Sequence, residues 1–354
     1  MTSPRLRDDL QALEGYHSAQ VEVDIRLNTN ESPFPPPPAF FEELVELVGE
    51  ISLNRYPDRA ARELRAKIAS LHGVDWSEVF AANGSNEVLQ SLLLAYGGPG
   101  RRALVFEPSY ALHAHIARTT GTEVVSVDRT DDFELPVELL VNAIKDVDPA
   151  ITFVCSPNNP TGGVSALDTI EAALAAGDGL VVVDEAYGQF AQRSALELGP
   201  AQPTSRLVVV RTFSKTWAMA GARLGYLVAA PAIVASLETV VLPYHLSALT
   251  QAAGLAILGH GEEMKTTVAK IVEERGRLLA ELRELDLEVW PSQANFILFR
   301  PRSREGHDVW LDLVDRSVLV RDCSSWARLE GCLRVTIGTH EENGHFLAAL
   351  KEAL

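Results

Sequence analysis

Between residues 155 and 225 the chain sets out, in order, Cys155-Ser-Pro-Asn-Asn-Pro-Thr-Gly162, Asp184-Glu-Ala-Tyr187, Thr212-Phe-Ser-Lys215 and Arg223. These are the groups that pyridoxal phosphate chemistry asks for. An amine meets the cofactor aldehyde, a carboxylate keeps the ring nitrogen protonated, and amide and hydroxyl groups meet the phenolate oxygen. Hydroxyl and guanidinium groups hold the phosphate, which suits the planar two-pronged fork of arginine. A lone lysine in a loop is nearly always a solvated surface charge, so the ordered set carries the signal and not any single member.

The elements that must position these residues can be read around them. Leu180-Val-Val-Val-Asp184 is apolar without alternation, the pattern of a parallel strand buried on both faces, and it delivers Asp184 at its carboxyl end, where open α/β sheets bind ligands. Leu207-Val-Val-Val-Arg-Thr212 is a second such strand and runs into Ser214 and Lys215. Freed from the aldehyde, the Lys215 amine can serve as general base, a role that requires a depressed pKa. Thr212, Ser214 and Arg223 form one phosphate group of donors. Ser85 and Asn86, in Ala82-Asn-Gly-Ser-Asn-Glu87 before an apolar helical run, form another, because the free N–H groups at a helix start attract an anion.

Taken together, these motifs resemble the fold-type I aminotransferases, from about residue 10 to the C-terminus. Within that family the chain is most similar to the histidinol-phosphate aminotransferases. The motifs that carry this narrower likeness are Arg26-Leu-Asn-Thr-Asn-Glu-Ser-Pro-Phe34, Asn54-Arg-Tyr-Pro-Asp58, Pro243-Tyr-His-Leu-Ser247, Pro291-Ser-Gln-Ala-Asn-Phe296, Val320-Arg-Asp322 and Leu333-Arg-Val-Thr-Ile-Gly338. The resemblance implies that Asn159 and Tyr187 bond the cofactor O3′ and that Tyr110 stacks on its ring. It also implies a homodimer with shared active sites, in which Tyr56 reaches the phosphate of the neighbouring subunit's cofactor. Tyr16, Asn30, Tyr244, Arg321 and Arg334 are implied as substrate contacts. The chain departs from the family pattern in lacking a proline before Tyr16 and in placing Trp217 beside the lysine, where we read it as packing.

The implied reaction is reversible amino transfer between L-histidinol phosphate and 2-oxoglutarate, giving imidazole acetol phosphate and L-glutamate, with Lys215 as the base in both halves. Three rivals share much of the sequence evidence. An aromatic aminotransferase has nearly every motif, a decarboxylating or eliminating enzyme uses the same cofactor, and a cofactor-binding regulator would carry a DNA-binding extension that is not seen here.

Composition narrows the classes further. A chain of 354 residues with 47% apolar content can bury one large and one smaller core. A formal charge of −17 argues against nucleic acid, so an anionic substrate must be held by local arginines. Cys155, Cys323 and Cys332 have neither an even count nor C-x-x-C spacing, which points away from disulfides and metal and toward a reducing, cytoplasmic setting. Residues 1–20 show no apolar signal stretch, and the apolar region 224–259 is broken by Pro231, Glu238, Pro243 and His245, so no membrane span is read.

The predicted architecture is α/β, with a mainly parallel central sheet, helices on both faces and a smaller α/β domain. Strands are expected at 103–107, 123–127, 151–155, 181–184, 208–212, 224–228, 296–299 and 333–337, and one long helical segment at about 248–285. The domains expected are an N-terminal arm over 1–40 that packs with the small domain, a large cofactor-binding domain over 41–250, and a connecting helix with a small C-terminal domain over 251–354.

Overall fold

The computed structural model describes residues 4–11, 13, 15 and 20–354. A seven-stranded sheet has the order β2-β8-β7-β6-β5-β3-β4. Its strands are β2 (Val79–Ala82), β3 (Arg102–Glu107), β4 (Glu123–Asp128), β5 (Ile151–Cys155), β6 (Leu180–Asp184), β7 (Leu207–Thr212) and β8 (Gly225–Val228). β3 to β7 run parallel, and β8 is antiparallel to both β7 and β2. Every residue of β5, β6 and β7 is buried, as their Val-rich, non-alternating sequences require when helices cover both faces.

Helices α1 (Pro38–Gly49), α2 (Arg62–His72), α3 (Ser85–Tyr96), α4 (Leu112–Thr119), α5 (Val137–Val147), α6 (Leu167–Ala176), α7 (Pro231–Val240) and α8 (Ala248–Ile257) accompany this sheet. Val88, Leu89, Leu92 and Leu93 of α3 join Ile233 and Leu237 of α7 against one face. Leu140 and Ile144 of α5 join Ile170 and Ala173 of α6 against the other.

A second sheet of five strands has the order β1-β11-β12-β10-β9, from β1 (Ile25–Leu27), β9 (Leu287–Val289), β10 (Phe296–Pro301), β11 (Val318–Asp322) and β12 (Leu333–Thr336). Helices α9 (Gly261–Arg283), α10 (Gly306–Asp315) and α11 (His340–Ala353) pack on it around Phe296, Phe299, Leu313 and Phe346. β1 pairs in parallel with β11, so the arm contributes an edge strand to this sheet.

The long helical segment expected at 248–285 is instead two helices joined by a 3-10 turn at Leu258–His260. Gly259 and Gly261 flank His260 there, each costing about 1 kcal/mol in a helix interior. The bend also turns the buried His260 ring toward Glu43 and Glu263. Among the described residues, no helix is long and apolar enough to cross a membrane.

Candidate active site

Sheet register gathers the site at one edge. Cys155 pairs with Asp184, while Thr212 and Ala82 both pair with Gly225, so the ends of β5, β6, β7 and β2 and the start of β8 lie side by side. Over them opens a cavity of about 370 Å³. Twelve of the residues singled out in the sequence line it: Asn30, Ser85, Asn86, Tyr110, Asn159, Asp184, Tyr187, Thr212, Ser214, Lys215, Arg223 and Arg334.

One end of the cavity is a cradle for an anion. The amino end of α3, without a side-chain cap at Gly84, meets Arg223 and the hydroxyls of β7. Arg223 Nη1 donates to Ser214 Oγ at 3.3 Å, and Thr212 Oγ1 donates to Ser214 Oγ at 3.0 Å. Two glycines make this approach possible. A Cβ on Gly84 would stand 2.5 Å from Arg223 Nη2, and one on Gly225 would stand 2.3 Å from the Ser85 nitrogen. Free N–H groups, a guanidinium and two hydroxyls fit a phosphate.

Further in, the Asp184 carboxylate is almost wholly buried. Its Oδ1 accepts from the Ala186 N–H at 3.0 Å and its Oδ2 lies 2.8 Å from His113 Nε2. A carboxylate can only accept, so that nitrogen carries the proton. The His113 ring lies flat against Phe153 and is edge-on to Tyr110. Tyr110 Oη donates to Asn86 Oδ1 at 3.1 Å. Tyr187 Oη accepts from Asn30 Nδ2 at 2.9 Å and lies 3.5 Å from Asn159 Nδ2; burial pushes its pKa up, against the pull of the Arg334 charge.

Lys215 Nζ donates to the Thr29 carbonyl at 2.9 Å and lies 6.0 Å from the centre of the Tyr187 ring. The side chain keeps some exposure through the cavity mouth, yet protein surrounds the amine closely. Burial first, and then the positive charge of Arg334, lower its pKa to about 8, with Glu31 opposing and Arg223 adding a little. Arg334 is 4% exposed; Nη2 donates to the Asn28 carbonyl at 2.8 Å and Nη1 to Asn159 Oδ1. The set fits pyridoxal phosphate: a cradle for its phosphate, a buried carboxylate for its nitrogen, and an amine of lowered pKa for its aldehyde.

Four expected residues are not among those that line the cavity. Tyr56 and Tyr244 stack on each other with ring centres 4.4 Å apart, 80% and 40% exposed. Arg321 sits over the Trp326 ring, 5.3 Å from its centre, although its strand position directly opposes Arg334. Tyr16 lies outside the described residues. The cavity in turn includes Thr29, Glu31 and Cys155, and rests on His113, none of which we had placed in a site. His113 lies in the first turn of α4, three residues after Tyr110. Its partner is 71 residues away, so no local pattern marks it.

The chain matches the family model "Aminotransferase class I and II" over residues 22–350. It belongs to the class I and II aminotransferases. Among its relatives in that family are the histidinol-phosphate aminotransferases of Corynebacterium diphtheriae, 46% identical with 98% of this chain and 96% of that protein covered, and of Thermobifida fusca, 48% identical with 98% and 95% covered. The crystal structure of histidinol-phosphate aminotransferase from Sinorhizobium meliloti, in complex with pyridoxal-5'-phosphate, shares the fold with a TM-score of 0.88 at 22% identity, covering 99% of this aminotransferase and 98% of that chain.

Proposed function

We propose that this aminotransferase is a histidinol-phosphate aminotransferase, moving an amino group reversibly between L-histidinol phosphate and 2-oxoglutarate with pyridoxal phosphate as cofactor, in L-histidine biosynthesis. The observation that carries this reading is the 45–48% identity to proteins of that name over nearly the whole chain.

When bound, pyridoxal phosphate supplies an electron sink for the carbon that bears the amino group. Ser85, Thr212, Ser214 and Arg223 would hold its phosphate. Asp184, oriented by His113 and the Ala186 N–H, would keep its ring nitrogen protonated. Tyr187 and Asn159 would meet its phenolate oxygen, and Tyr110 would lie against its ring. Lys215 Nζ would take the proton from the amine-bearing carbon of the donor in one half-reaction and deliver one to the corresponding carbon of the acceptor in the other, a task suited to an amine poised near pH 8. Arg334 faces the anionic end of the substrate. Its cross-strand neighbour Arg321 lies outside the cavity over Trp326 and would have to leave that ring to join Arg334 at a phosphate.

The unit holding these cofactor groups is taken as residues 41–250, with the small domain supplying the arginines. Leu53, Tyr56, Leu242 and Tyr244 are exposed apolar residues on the loops before α2 and α8, with Tyr56 and Tyr244 stacked on each other. A second copy seated there would cover them and bring Tyr56 to the neighbouring site. We place the enzyme in the cytoplasm, in keeping with its three buried free cysteines.

Turnover of imidazole acetol phosphate and of phenylpyruvate by the same preparation tests the reading. The phosphate ester should be preferred by at least about tenfold in kcat/KM. A preference for phenylpyruvate would make the protein an aromatic aminotransferase.

A further inference from the structure

Five charged residues line the cavity: Lys215, Arg223, Arg334, Asp184 and Glu31. Four have work in the reading above. Asp184 is held by His113 and the Ala186 N–H, with acceptor capacity left for the cofactor nitrogen, whereas the described residues give Glu31 one hydrogen bond, from Thr29 Oγ1 to Oε2 at 3.0 Å.

The chain leading to Glu31 is laid along the cavity like a ruler. The Asn28 carbonyl is held by Arg334 Nη2, and the Thr29 carbonyl is held by Lys215 Nζ. Asn30 then turns the backbone through φ +56° and is fixed on three sides. Its N–H donates to Thr336 Oγ1 at 3.0 Å, its Nδ2 donates to Tyr187, and its carbonyl accepts from Asn295 Nδ2 at 3.1 Å. Glu31 follows on this anchored turn, so along this stretch of chain the contacts come in the order Arg334, Lys215 and then the Glu31 carboxylate.

Histidinol phosphate has its groups in the matching order: phosphate ester, amine-bearing carbon, imidazole. With Arg334 at the phosphate and Lys215 at the central carbon, the ring extends beyond Lys215. An imidazole ring presents an N–H donor, and when protonated a positive charge; a carboxylate is the strongest acceptor for either. A phenyl ring presents neither.

We infer that Glu31 is a specificity-determining residue that receives the imidazole N–H of the substrate. The inference rests on the functional reading above and sharpens it, because it gives the site a means of telling an imidazole from a phenyl ring of similar size. It also carries a penalty for the second substrate. Glutamate places a carboxylate where histidinol phosphate places its ring, so Glu31 repels it.

The test uses the cofactor-loaded enzyme and two unreactive esters without an amine, 3-(imidazol-4-yl)propyl phosphate and 3-phenylpropyl phosphate, whose dissociation constants are measured by calorimetry. The wild type should bind the imidazole ester about tenfold more tightly than the phenyl ester. Glu31→Leu, at an exposed position, should bring the ratio to about one, and Glu31→Gln, which keeps an acceptor without the charge, should fall between. In turnover, Glu31→Leu should raise the KM for histidinol phosphate about tenfold and lower that for glutamate two- to fivefold. A Glu31→Leu enzyme that keeps the wild-type ring preference overturns the inference while leaving the enzyme a histidinol-phosphate aminotransferase. A wild type that does not turn over histidinol phosphate overturns the functional reading itself, and this inference with it.

Discussion

Asp184 and His113 form a buried pair, Oδ2 to Nε2 at 2.8 Å, at the floor of the cavity. The imidazole ring is itself pinned flat against Phe153, so the carboxylate cannot rotate without dislodging a packed aromatic group. Asp184→Asn retains the size and loses the charge. Its kcat should fall roughly 30- to 1,000-fold, the loss of about 2–4 kcal/mol of transition-state stabilisation, with a smaller loss of cofactor affinity. His113→Ala, which frees the carboxylate without removing it, should sit between that variant and the wild type. Single-turnover rates with saturating cofactor provide the comparison, and an Asp184→Asn enzyme at wild-type speed would take the residue out of the site.

Lys215→Ala should abolish transamination while cofactor is still held noncovalently, because Ser85, Asp184 and Arg223 remain. Borohydride should then fail to fix the cofactor to the chain. In the wild type, an amine with a pKa of about 8 is roughly one-tenth unprotonated at pH 7, some 300-fold more than an ordinary lysine. The rate of cofactor attachment to the cofactor-free chain should therefore climb with pH and level off above about 8. A rate still climbing past pH 10 would mean that the amine is not perturbed.

Arg334→Gln should raise the KM for histidinol phosphate by roughly 10- to 100-fold, since each charge-assisted bond to a phosphate contributes about 1.5–3 kcal/mol. Plain histidinol should be a poor substrate for the wild type and lose little more in the variant. If the wild type uses histidinol as well as its phosphate, Arg334 and Arg321 do not read the phosphate.

Tyr56→Phe should weaken cofactor retention. Mixed dimers of Tyr56→Phe with Lys215→Ala subunits should recover activity, because one of the two shared sites regains both groups. Mixed dimers as inactive as the Lys215→Ala parent would refute a shared site.

Stability should fall in mild acid through His72. Burial first, and then the charge of Arg211, lower its pKa from 6.5 to about 4, and in its neutral form it lies 2.9 Å from the Tyr226 hydroxyl. The unfolded chain then binds the proton more readily than the folded one. Stability present above pH 6.5 is lost as the pH falls toward 4, by roughly 3 kcal/mol in all. Urea unfolding across that window should show a shallower pH dependence for His72→Phe than for the wild type.

Several cavity residues were legible in the sequence because they sit at the end of a strand or the start of a helix, where local pattern and chemistry coincide. Asp184 after four buried aliphatic residues and Lys215 after Thr212 are of this kind. His113, Thr29 and Glu31 were not legible, since what places them is tertiary: a contact from α4 to the end of β6, and the pairing of β1 with β11. The edge strand β1 has only three residues, and although Val21, Val23, Ile25 and Leu27 alternate with charged residues, nothing local says which sheet that stretch joins. β2 was hidden in the same way by its four residues, even though the loop it leads into was recognised. The helix break at His260 was visible as two glycines, but an otherwise continuous periodic run masked it.

The attachment of β1 to the five-stranded sheet separates two labours within one cavity. Arg334 on β12 and the Asn28–Glu31 stretch after β1 ride on one sheet, while Asp184, Lys215 and Arg223 ride on the other. At the cavity, bonds that cross between them include Lys215 to Thr29, Asn30 to Tyr187 and Arg334 to Asn159. The catalytic apparatus is thus one module and the substrate reader another. Altering the reader's side chains should change which amine is recognised, and at Arg334 and Glu31, whose charges act on Lys215, it should shift the pKa of the reacting amine as well.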